Sequence, residues 1–184
     1  MNDSDKILPI YPSVEQYLTL FVKEFCYPQK KLIEDWKVWL NKRNSSEGSA
    51  KDFIWSEFNK FLLQIAKNAS NEIEMYNYQR MLYGYMIKFL RETSARQSVI
   101  DSTRRCFNLM DLNLARLSQF EVGMFIITTK DCNESRQFEG KVYLLNDMVK
   151  DQPLPYSNCK RNGGCICMYG TEAIRDKNGR LTMK

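Results

Sequence analysis

The spacing of apolar residues changes period once along this chain, and the change falls after Phe120. Before it, apolar side chains recur every three or four positions, the spacing that gathers them on one face of an α-helix. After it come short β-branched or aromatic runs bounded by turn residues. Val122 with Met124-Phe125-Ile126-Ile127, and Lys141-Val142-Tyr143-Leu144-Leu145, read as strands. The fold class that follows is α+β and mainly helical, an N-terminal helical bundle followed by a small Cys-bearing, β-rich module. The expected divisions are a helical body over 1–120, a small α+β cysteine-containing module over 121–170 and a tail over 171–184.

Taken in order, residues 1–12 are polar and proline-punctuated (Pro9, Pro12) and predict an extended arm. Ser13 with Gln16 is a capping-box pattern ahead of a helix carrying Val14, Tyr17, Leu18, Phe21, Val22 and Phe25. Tyr27-Pro28 ends that helix, because the residue before proline avoids helical backbone, and Pro28 can open the next. The second helix places Leu32, Ile33, Trp36, Trp39 and Leu40 on one broad face. A loop over 44–49 precedes a third helix from about Ala50 to Asn68, with Ile54, Trp55, Phe58, Phe61, Leu62 and Ile65 inward. Asn71 with Glu74 caps a fourth, aromatic helix through Leu90, and Thr93 to Ser118 forms a fifth with a break expected near Asp101 or Asn108. In the tail, Asn178-Gly179 is a hairpin signal or a frayed end.

Composition narrows the function classes. The 184 residues contain no histidine, so Ser-His, Cys-His and imidazole-based metal chemistry are excluded. The net charge of +5 is spread, with 17 basic against 14 acidic side chains over 1–120 and 10 against 8 over 121–184. A nucleic-acid footprint needs a more concentrated patch. No stretch has the look of a signal peptide or a spanning helix, which predicts a cytoplasmic protein with reduced thiols and no membrane partner. No phosphate loop, dinucleotide fingerprint or acidic metal cluster of recognisable spacing occurs.

Four of the six cysteines fall within the 36 positions from Cys132 to Cys167. Structural zinc takes four thiolate or imidazole ligands in a tetrahedron, and with no imidazole available the one sensible set is Cys132, Cys159, Cys165 and Cys167. Two alternatives stay open, namely small buried hydrophobes in a metal-free module, and a disulfide such as Cys159 to Cys165. Gly163-Gly164 reads as the tight turn that brings Cys165 towards Cys159. Cys26 and Cys106 sit in apolar helical patterns and read as core filling. A cysteine nucleophile stabilised by Lys160 or Arg161, next to Cys159, is a further reading. Arg91, Arg96, Arg104, Arg105 and Arg116 recur along helical sequence, where they track phosphates or form a charged outer face with Glu92, Asp101 and Asp111.

Asp131-Cys132-x-x-Ser135, Gly140-Lys141-Val142-Tyr143, Pro153-Leu154-Pro155 and Asn158-Cys159 followed by Cys165-x-Cys167 resemble the C-terminal motif of phage head-morphogenesis (minor capsid) proteins. The resemblance spans roughly 112–170. In that family an Asp precedes a Cys-x-x-Cys pair, a Gly-Lys-Val-aromatic strand follows, and the motif closes on Pro-Pro-x-His-x-x-Cys-x-Cys. Here the second cysteine of the pair falls on Ser135, the histidine falls on Tyr156, and five residues, Lys160 to Gly164, separate what is usually one tight Cys-x-Cys cluster. The resemblance implies a non-enzymatic interaction or structural protein of bacterial or phage origin, with a helical body that binds a protein partner. The alternatives are a zinc-stabilised nucleic-acid-binding protein, and an enzyme or toxin whose site has no recognisable motif.

Overall fold

The computed structural model describes residues 12–43, 46–128, 132–156, 159–161 and 164–184, without the side chains of 12–14 and 133. The expected N-terminal arm, most of the Ser13 capping box and the start of the 44–49 loop lie outside those residues. Among them the chain is mainly helical, with seven helices and a three-stranded antiparallel sheet near the C-terminus. It divides into two compact units, 1–63 and 64–184. The fourth and fifth helices fall in the same unit as the sheet, and the division lies within the third helix.

The first unit holds α1 (Pro12–Glu24), α2 (Gln29–Leu40) and most of α3 (Glu47–Asn68). Pro28 is the N-cap of α2, with φ −61° and ψ 119°, where a missing N–H costs no helical bond. The core is aromatic. Phe21, Trp36 and Phe58 are wholly buried, Phe21 meets Phe58 edge-on at 5.0 Å, and Trp36 meets Phe53 at the same distance. Cys26 departs from its expected core position. It lies past the end of α1 with φ 50° and is exposed, because the chain turns there to start α2 at Pro28.

In the second unit α4 (Glu72–Glu92) starts as expected, with Asn71 Oδ1 accepting from the Glu74 N–H at 2.9 Å. The Glu74 carboxylate accepts in turn from the Ser70 N–H at 2.7 Å. α5 (Gln97–Arg116) runs without the expected break. Asp101 is held on the helix by a 2.8 Å hydrogen bond from Gln97 one turn earlier, and Asn108 is buried within it. Arg80 on α4 pairs with the mostly buried Asp111 on α5, so Asp111 is not part of an outer charged face.

The chain then enters the sheet, ordered β2-β1-β3, with β1 (Val122–Ile127) in the centre. β3 (Met168–Ala173) pairs along its whole length, from Val122 opposite Ala173 to Ile127 opposite Met168. The expected strand over 141–145 shortens to β2 (Tyr143–Leu144), and Leu145 opens α7 (Leu145–Asp151). Leu145, Met148 and Val149 carry a helical spacing, and all three pack on the core. The tail is anchored. Its first residues complete β3, Arg175 bridges Leu181, Phe120 bridges Met183, and Asp176 Oδ1 accepts from the N–H groups of Asn178 and Arg180. The core of this unit gathers Leu112, Met124, Ile126, Met148, Leu154 and Tyr169 around Cys132, Cys165 and Cys167.

Candidate metal centre

The cysteines of the C-terminal cluster reach the core from three places along the chain. Cys132 is the N-cap residue of the one-turn helix α6 (Asn133–Arg136), in extended backbone with φ −107° and ψ 99°. Cys159 lies on the connection between α7 and β3, and Cys165 and Cys167 lead directly into β3. Gly164 precedes Cys165 with φ 79°, in the left-handed region that side chains avoid. Its N–H donates to the Arg161 carbonyl at 3.0 Å, closing a turn that returns the chain towards Cys159. Gly163, Asp131 and Asn158 lie outside the described residues.

The sulfur atoms of Cys132, Cys159 and Cys165 lie within 4.8 Å of one another, a spacing at which three cysteines could hold a metal ion. Cys132 and Cys165 are buried and Cys159 is half-buried. Cys167, the fourth expected ligand, is wholly buried in the same core, but it stands outside the group of three. All six cysteines are free thiols, so the Cys159 to Cys165 disulfide is not formed.

Backbone N–H groups converge on these sulfurs. The N–H of Arg161 faces Cys159, and those of Tyr156 and Cys167 face Cys165, whereas the Cys132 side chain takes no capping hydrogen bond from α6. Hydrogen bonds of this kind favour the thiolate, while burial opposes it, and the balance differs from site to site. Burial pushes the Cys165 thiol up to about 12 despite its two N–H donors. Burial, together with the neighbouring Cys132 thiol, also raises Cys159. At Cys132 burial is outweighed by the neighbouring Ser135 and by the Cys167 and Cys159 thiols, and its pKa falls below the ordinary thiol value. Cys132 is thus the member most ready to ionise, and a bound cation would be needed to keep all three as thiolates.

Two of the departures from the phage-type motif, Ser135 and Tyr156, line this cluster. Ser135 is wholly buried and its hydroxyl donates to the Cys132 carbonyl at 2.9 Å. Tyr156 stacks on Phe138 at 5.7 Å, and its buried hydroxyl has no hydrogen-bond partner among the described residues. Burial, and then the charges that Cys167, Cys132 and Cys165 would carry, raise the Tyr156 pKa, so the hydroxyl keeps its proton as an unused donor beside the sulfurs. That orphaned O–H suits a site where thiolates collect negative charge.

Sequence reasoning missed Arg104, which reaches from α5 to donate to the Cys165 carbonyl. Its signal was present as one arginine in a helical series, but only the fold distinguishes it from Arg96, Arg105 and Arg116, which are exposed. Comparison of the chain with family models, with curated proteins and with solved structures gives no match.

Proposed function

We propose that this chain is a non-enzymatic interaction protein whose C-terminal module is built like that of phage head-morphogenesis proteins and is held by one zinc ion. The observation that carries the reading is the convergence of Cys132, Cys159 and Cys165 within 4.8 Å. Cys132 and Cys165 are 33 positions apart in sequence, with Cys159 between them. Cys167 would complete the set from its place beside Cys132. When bound, zinc supplies a cross-link among thiolates and no redox chemistry. The N–H groups of Arg161, Tyr156 and Cys167 would orient the sulfurs of Cys159 and Cys165, and the Tyr156 hydroxyl offers a further hydrogen bond. The replacement of helix by strand after residue 121 is the order of parts that the motif resemblance implies, and supports it.

Metal analysis of protein purified under reducing conditions without chelator tests this directly, together with a count of reactive thiols. About one zinc per chain, lost in Cys132→Ser and Cys165→Ser, is the expected result. Metal-free protein with Cys132, Cys159 and Cys165 all freely reactive would leave the sulfurs as small core-filling groups. A second reading is a zinc-stabilised nucleic-acid-binding protein that uses the arginine-bearing helix α5, whose Arg104 donates to the Cys165 carbonyl. It requires binding to mixed DNA or RNA that weakens steeply with salt.

A further inference from the structure

The clustered cysteines are not equally open to solvent. Cys132, Cys165 and Cys167 are buried, whereas Cys159 is half-buried. A small solute therefore reaches the cluster at Cys159 first. The sulfurs of Cys132, Cys159 and Cys165 lie within 4.8 Å of one another. A movement of at most about 3 Å, on the scale of a side-chain rotation, brings two of them to bonding distance.

The two buried neighbours of Cys159 differ in how firmly they are held. The N–H groups of Tyr156 and Cys167 face the Cys165 sulfur, and Arg104 donates to the Cys165 carbonyl. The Cys132 side chain takes no capping hydrogen bond from α6, and its thiol donates to Glu134 Oε2 at a long 3.8 Å. Cys132 is the neighbour whose sulfur can turn towards Cys159 at the smaller cost.

We propose that Cys159 is an oxidation site for hydroperoxides, and that Cys132 captures the oxidised sulfur as a reversible Cys132–Cys159 disulfide. The Cys159 sulfur attacks one peroxide oxygen, the O–O bond breaks, and the other oxygen leaves as water or, from an organic hydroperoxide, as an alcohol. The Cys132 sulfur then attacks the resulting sulfenic acid, the S–O bond breaks, and the hydroxyl departs as water with the Cys132 proton. Each sulfur gives up one electron and the peroxide takes both. A dithiol reverses the step by exchange and restores both thiols. The disulfide rests on the sulfur geometry alone. Its consequence rests on the zinc reading, because a disulfide withdraws two of the ligands and would release the ion.

The test uses the reduced full chain, with its metal content measured first. The protein is exposed to a few equivalents of hydrogen peroxide, alkylated in denaturant and mapped by peptide mass spectrometry. The expected product is a peptide pair joined through Cys132 and Cys159 that dithiothreitol separates. In zinc-loaded protein a chromogenic chelator should report about one ion released per disulfide. Cys159→Ser should leave Cys132 and Cys165 open to alkylation after the same exposure, because the peroxide has lost its point of entry. Metal-free reduced protein would end the zinc reading and leave the peptide map to decide the disulfide. In the wild-type chain, a link from Cys159 to Cys165 would overturn the proposal. So would Cys159 passing straight to sulfinic acid, or Cys159 remaining a thiol while the exposed Cys26 is oxidised.

Discussion

Glu57 is 1% exposed, and its Oε1 accepts from Lys60 at 2.5 Å while Oε2 has no hydrogen-bond partner among the described residues. Burial raises its pKa, Lys60 pulls it back, and the nearby Asp35 pushes it up again. Asp35 itself goes the other way. Burial opposes its charge, but hydrogen bonds from Lys31 and Tyr27 and the charge of Lys60 outweigh that and lower its pKa. The sign for Glu57 follows from linkage. A carboxyl whose folded pKa lies above its unfolded value of about 4.3 holds more protons when folded, so its contribution is fully present at low pH. That contribution is lost as pH rises through the folded value. Glu57→Gln should therefore stabilise the protein at pH 7 by on the order of 1 kcal/mol, and the gain should vanish below about pH 4. Urea unfolding of both proteins across that range measures it, and a gain that grows on acidification would reverse the assignment. Glu57 could not have been found from sequence, because a Glu on an aromatic helix reads as its solvated side. Asn108 and Arg104 were hidden in the same way, since burial of a polar side chain is decided by the partner helix and not by its own spacing. Cys132, Cys159 and Cys165 were legible, because with histidine absent few residue types can build a metal site.

At the scale of elements, the helices were legible where caps and apolar stripes agree, as at Asn71 with Glu74. The strand over 141–145 was read too long because the same residues serve two periods, and tertiary burial of Met148 gave Leu145 to the helix. The turn at Gly164 shows how an element sets the site. A Cβ there would sit 2.1 Å from Gln97 Nε2, and φ of 79° would strain any side chain wherever Gln97 moved. Gly164→Ala should cost about 1–2 kcal/mol, the penalty for left-handed backbone with a Cβ. Adding Gln97→Ala should recover only the clash and leave most of that loss. Thermal or urea unfolding of the single and double variants separates the two terms, and full recovery in the double variant would show that contact, not backbone, demands the glycine. Since Gly164 precedes Cys165, the strained variant should also release that thiol to modification more readily.

At the scale of the whole molecule, the two compact units divide the spectroscopic reporters as well as the fold. All three tryptophans, Trp36, Trp39 and Trp55, lie in the first unit, whereas the four clustered cysteines lie in the second. The second unit supports its sheet with few strands, and its core includes the thiols themselves, so a ligand binding only the folded sulfurs raises its stability by mass action. Zinc at about a thousand times its dissociation constant contributes roughly 4 kcal/mol. For a unit of this size that corresponds to a thermal midpoint shift of roughly 10–20 °C. Chelation should therefore move the unfolding transition seen in the far-ultraviolet, where the helices and sheet of the second unit contribute. The tryptophan fluorescence transition should stay where it was. Zinc added back should restore the first signal in wild type but not in Cys165→Ser. A chelator that lowers the tryptophan transition equally would mean that the metal stabilises the chain as one cooperative body, and a chelator that moves neither would remove zinc from the account of this fold.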